Sequence, residues 1–117
     1  MGRIEVTDEA GIAVVSLLGE HDVSTAESFR TEIEGLIDSG WRIVVDLTQV
    51  GFVDSTVVAG VVDGHRRVSA EGRDHDLAAV VTPNTAPRRT WNLLGLDERV
   101  PTYATRREAI EAVSLDG

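Results

Sequence analysis

Arg42-Ile43-Val44-Val45-Asp46-Leu47, a short break, then Val50-Gly51-Phe52-Val53-Asp54-Ser55-Thr56-Val57-Val58: the reading of this stretch decides the fold. Its first half is β-branched and apolar at successive positions. A strand with one wet face alternates, whereas a strand covered on both faces does not, so Arg42 to Leu47 reads as a central strand. The second half runs through an apolar approach into Asp54-Ser55-Thr56, three residue types that favour helix starts. Val57, Val58, Val61, Val62 and Val68 then recur at helical spacing as far as Glu71-Gly72. Strand followed directly by helix is the unit of an α/β sheet.

The chain on either side repeats that unit. Upstream, Ile4 to Val6 and Ile12 to Leu18 read as strands joined by Asp8-Glu9-Ala10-Gly11, a short polar connector that favours a hairpin. Gly19 ends the second strand. Ser24 and Glu27 have capping-box spacing, Phe29, Ile33, Leu36 and Ile37 form an amphipathic stripe, and Ser39-Gly40 stops the helix. Downstream, Leu77 to Val81 is a buried strand, and Thr85 caps a helix from Ala86 to about Leu94 that Gly95 terminates. Arg99 to Tyr103 reads as a short last strand. Thr105 and Glu108 form a capping box for a final helix through Val113, and Ser114 to Gly117 is expected to fray. The order β-β-α-β-α-β-α-β-α implies one α/β domain over residues 1–117, with its core at about 4–113. A four- to five-stranded, mostly parallel sheet packs against about four helices.

Composition narrows the function. The 117 residues are 42% hydrophobic and 26% charged, material for one core. Without cysteine, disulfide, thiolate-metal and cysteine-nucleophile chemistry are excluded. The polar, acidic start from Met1 to Ala10 lacks the features of a signal peptide. Apolar runs reach only about four to five residues, against the ~20 of a membrane-crossing helix. The expected setting is the cytoplasm, with no membrane insertion. A net charge of −9 repels nucleic-acid phosphates and suits a basic protein partner, or simply maintains solubility.

Asp54-Ser55-Thr56 is the most informative point. Helix capping accounts for all three residue types. The same physics allows a switch: the free N–H groups and positive end of the helix would hold a phosphate on Ser55. The modification would set nearly two charges beside Asp54 on an acidic surface, altering what docks there.

Gly19-Glu20-His21-Asp22, Thr25-Ala26-Glu27, Val44-Val45-Asp46-Leu47 and Phe52-Val53-Asp54-Ser55-Thr56 follow one another in an order and spacing that resembles a STAS domain, specifically the bacterial anti-sigma factor antagonists. The likeness spans about Ile4 to Val113. It implies a non-catalytic protein that binds an anti-sigma factor, itself a serine kinase of the histidine-kinase-like ATPase type, and so frees a sigma factor for transcription. It further implies phosphorylation of Ser55, with Thr56 as second choice, release of the partner, and resetting by a serine phosphatase. The implied partner-binding residues are Asp22, Asp54, Ser55, Thr56, Val57 and Val58; Asp22 is equally a turn or cap residue. The family usually carries Gly, then Leu or Ile, where this chain has Val57-Val58, and an apolar residue where it has His21. Gly leaves room for a partner's backbone, whereas Val57 is stiff and branched. That departure motivates an alternative: a STAS scaffold subunit of a signalling complex, or a transporter accessory, seldom phosphorylated.

Other chemistries find less support. Ser55, Asp22 and a histidine suggest a hydrolase, yet no Gly-x-Ser-x-Gly elbow exists. His21, His65 and His75 lack metal-ligand spacing, and there is no phosphate-binding glycine loop, so neither metal nor cofactor is expected. Arg66-Arg67, Arg88-Arg89 and Arg106-Arg107 are expected on solvated helix faces, with an anion site built from them as a minor alternative. Trp41 and Trp91 are expected at or near the core; an exposed Trp91 would instead offer a partner contact.

Overall fold

The computed structural model describes residues 2–20 and 23–114. β1 (Arg3–Glu9) and β2 (Ile12–Leu18) pair antiparallel, followed by α1 (Val23–Asp38), β3 (Ile43–Gln49), α2 (Ser55–Ala70), β4 (Leu77–Val80), α3 (Ala86–Leu93), β5 (Thr102–Tyr103) and α4 (Arg106–Ser114). The five strands stand side by side in chain order, parallel from β2 onward. This is the mostly parallel α/β sheet expected from the sequence, with its four helices.

The topology explains which helices share a face. Each parallel strand is added on the same side, and right-handed crossovers then send the intervening helices to one face. Phe29 and Ile33 of α1, Val57 and Val61 of α2 and Trp91 of α3 accordingly share one core with Val15, Leu17, Val45, Leu77 and Ala79. Side chains alternate across a strand, so Val14, Val44, Ala78 and Val80 face the other way, where α4 covers them with Ala109 and Val113. β2, β3 and β4 are thus buried on both faces, which is why their sequences are nearly continuous apolar runs.

Several local expectations change. The hairpin turn is two residues, Ala10 and Gly11, with φ of 58° and 82°, as a type I′ turn requires. Asp8 and Glu9 belong to β1, opposite Ala13 and Ile12, and the Asp8 carboxylate accepts from the Gly11 N–H at 3.0 Å. Polar residues fit there because β1 is a largely exposed edge strand. The helix α1 begins at Val23, which places the Ser24 backbone within its first turn. The last strand shrinks to Thr102–Tyr103, because Leu96–Glu98 forms a 3-10 turn and Val100 plugs the core. Thr105 and Glu108 do form the reciprocal capping box, each backbone N–H donating to the other's side chain at 3.2 Å. Of the fraying expected over Ser114 to Gly117, Ser114 is instead the last residue of α4, and residues 115–117 lie outside the described residues.

Arg106 corrects the expectation of solvated arginine pairs. Its guanidinium donates to Asp46 Oδ2 (2.8 Å), Glu9 Oε2 (2.8 Å) and Ser16 Oγ (2.9 Å), tying α4 to β1, β2 and β3. Asp46 is 3% exposed and needs that counter-charge. Burial works against the charged Arg106, but hydrogen bonding and attraction to Asp46, then Glu9, outweigh it and raise its pKa. Among the other pairs, Arg67 meets Asp38 across the α1–α2 seam, and Arg88 meets Asp97 at 3.1 Å. Arg66, Arg89 and Arg107 are exposed on their helices as expected, and among the described residues the arginine pairs do not converge on one anion site.

Candidate functional site at the start of the second helix

The segment after β3 is pinned from below. Val50 and Val53 are buried, which fixes the approach to α2, while Phe52 between them is 53% exposed. Asp54 then takes an extended backbone (φ −94°, ψ 170°) and caps the helix. Its Oδ1 accepts from the N–H of Thr56 at 3.1 Å and of Val57 at 3.0 Å. The Thr56 hydroxyl donates to the same oxygen at 2.6 Å. Two of the first turn's free donors are thereby satisfied, the usual task of an N-cap.

That geometry separates three residues the sequence leaves together. Capping consumes Asp54, and the Thr56 hydroxyl is committed to holding the cap. Ser55, by contrast, is exposed, and its hydroxyl makes no hydrogen bond among the described residues. Val57 is 4% exposed and packs in the core, so its branched side chain bears on the packing beneath the site and not on the outer contour. Val58 is half-buried against the same core. Asp22 and His21 lie outside the described residues.

A cavity of about 380 Å³ opens beside Ser55, between the first turns of the two neighbouring helices. Ala26, Glu27 and Arg30 of α1 and Ser55, Thr56 and Ala59 of α2 line it. The helices approach closely because α2 presents glycine to α1. A Cβ on Gly60 would sit 2.8 Å from the Phe29 ring, and one on Gly64 would sit 2.9 Å from Ile33. The valine stripe gives the face of α2 but hides these two contacts. Their signal is the four-residue spacing of Gly60 and Gly64 inside that stripe. Neither Arg30 nor exposed Phe52 stands out in the sequence, because a lone arginine on a polar helix face and an apolar residue among apolar neighbours look ordinary.

The remaining candidates lie elsewhere. His65 is ten residues beyond Ser55 on the same helix, about 15 Å by helical rise, and its Nε2 lies 3.1 Å from the Asp74 carbonyl. His75 is exposed just before β4. Trp91 is fully buried and donates from Nε1 to Thr102 Oγ1 at 2.9 Å, so it is a core residue and offers no exposed contact. Trp41 is half-buried at the core margin. No helix among the described residues is long and apolar enough to cross a membrane.

Known proteins share this architecture. The chain is 28% identical over 111 residues to the anti-sigma-F factor antagonist RsfB of Mycobacterium tuberculosis, covering 94% of this chain and 88% of that one. The crystal structure of an anti-sigma factor antagonist from Mycobacterium paratuberculosis superimposes with a TM-score of 0.85 at 29% identity, over 97% and 95% of the two chains. An anti-sigma-factor antagonist (STAS) domain protein from Planctomyces limnophilus gives a TM-score of 0.71 at 26% identity, over 95% and 97%. The STAS domain family model matches residues 3–109, which take in every strand and the cap, seam and cavity described above, and the chain therefore belongs to the STAS domain family.

Proposed function

We propose that this protein is an anti-sigma factor antagonist that acts by binding, not by catalysis, and that Ser55 is its switch. The observation that carries this reading is the division of labour at the start of α2: Asp54 and Thr56 are bound up in the cap, while Ser55 is exposed and uncommitted. Similarity to proteins named as anti-sigma factor antagonists supplies the partner class. The partner is an anti-sigma factor that is also a serine kinase of the histidine-kinase-like ATPase type. Its docking surface takes in Asp22, Asp54, Ser55, Thr56 and Val58, with Val57 supporting the turn from inside.

In the switching step, Ser55 Oγ attacks the γ-phosphorus of the kinase's ATP. The bond to the β,γ-bridging oxygen breaks, ADP leaves, and the hydroxyl proton is lost to solvent or a base of the kinase. The product carries about 1.5 to 2 extra negative charges at neutral pH, next to Asp54 and Glu27. A surface suited to a partner in the uncharged state then repels it, and the antagonist lets go. A serine phosphatase restores the binding form. The anti-sigma factor is freed to hold its sigma factor while the antagonist is phosphorylated.

The test is capture from the native host with wild type and Ser55→Asp as baits. Wild type is expected to retain a kinase-like ATPase that Ser55→Asp loses. Equal retention of that ATPase by both baits would contradict a switch at Ser55.

A further inference from the structure

Two cavities lie end to end along the α1–α2 seam, and Arg30 lines both. One is the cavity beside Ser55. The other runs past Gly60, Asp63 and Gly64 toward Arg67. On α2, Ser55, Ala59 and Asp63 are four residues apart, so they form one row whose steps rise about 6 Å each. Arg30 now faces the far end of that row, with its Nη2 3.2 Å from Asp63 Oδ2. Both side chains of that pair are about half exposed, at 48% and 47%, so water screens it and it holds loosely. The middle of the row is Ala59, whose methyl does not block the path.

The geometry points to the cavity beside Ser55 as a phosphoryl seat, in which Arg30 leaves Asp63 and takes the phosphate carried by Ser55. This rests on the reading of Ser55 as the modified residue. Three features favour the exchange. Among the described residues lining that cavity, Arg30 is the only cation and Glu27 the only carboxylate. A phosphate dianion offers a guanidinium two parallel charge-assisted hydrogen bonds, and more charge than Asp63 does. Asp63 does not lose all compensation, because Arg66 Nη1 stands 3.6 Å from its Oδ1. Phosphorylation thus redraws the α1 side of the seam as well as the charge on α2, and a partner spanning both helices reads both changes.

The experiment installs phosphoserine at position 55 during synthesis, without any kinase, and follows the phosphate by 31P NMR across pH. A neighbouring guanidinium favours the dianion. The second pKa of the phosphate is therefore expected to rise by about half a unit or more in Arg30→Gln. Arg30→Lys should recover part of that shift. Asp63→Asn, which frees Arg30, should keep the pKa at or below the wild-type value. Identical titrations in wild type and Arg30→Gln would overturn the phosphoryl seat and leave the antagonist reading standing. A host that never phosphorylates Ser55 would strike the antagonist switch and leave the titration result intact.

Discussion

Asp46 and Asp54 begin with the same local chemistry and end in different roles. Each accepts from the backbone N–H and the hydroxyl of the threonine two residues on. Thr48 gives 2.8 and 2.7 Å to Asp46, and Thr56 gives 3.1 and 2.6 Å to Asp54. Asp46 is buried in β3, and its other oxygen receives Arg106 from sixty residues away. Asp54 stands at a helix start, accepts at the same oxygen from Val57 N–H, and leaves an exposed serine beside it. The Asp-x-Thr pattern is thus a local brace in both places. Function is decided by what lies past the brace: a counter-ion from another element makes structure, and an uncommitted hydroxyl makes a site.

Removing the counter-ion should break the first member of the pair most severely. Arg106→Ala strands a buried carboxylate that keeps only Thr48. Breaking a buried ion pair costs ~3–5 kcal/mol, and because Arg106 is itself 39% exposed the expected loss is about 2–3 kcal/mol. Urea unfolding measures it, and an unchanged midpoint would show that the Asp46 cluster holds nothing together. Asp54→Ala should cost less, about 1 kcal/mol, because it removes one cap from a helix that packing also holds. The smallest effect on stability belongs to Ser55→Ala, within about 0.5 kcal/mol of wild type. Should Ser55→Ala destabilise as much as Asp54→Ala, the serine would be part of the cap, and the contrast between brace and site would collapse.

The same contrast explains what the sequence discloses. Runs such as Ile43 to Leu47 and Leu77 to Val81 announce buried strands, because both faces are covered and Asp46 is the one polar residue in either run. The caps at Thr85 and at Thr105 with Glu108 are legible because their bonds close within three residues. Arg106 reads as a solvated arginine in the sequence because its partners, Glu9, Ser16 and Asp46, are remote along the chain. Gly60 and Gly64 show only their spacing in the sequence, since the ring of Phe29 and the side chain of Ile33 that require them come from another helix. At the site, the tripeptide and its location are plain from the sequence. Which of its hydroxyls is free is not, because that depends on the rotamer in which Thr56 meets Asp54.

The most direct test of the division of labour at this helix start is phosphosite mapping by mass spectrometry on the protein isolated from its native host, with Ser55→Ala alongside. The account predicts phosphate on Ser55 in the wild type and an unmodified chain in the variant. Phosphate on Thr56, or a wild-type chain that is unmodified under every growth condition, would contradict it.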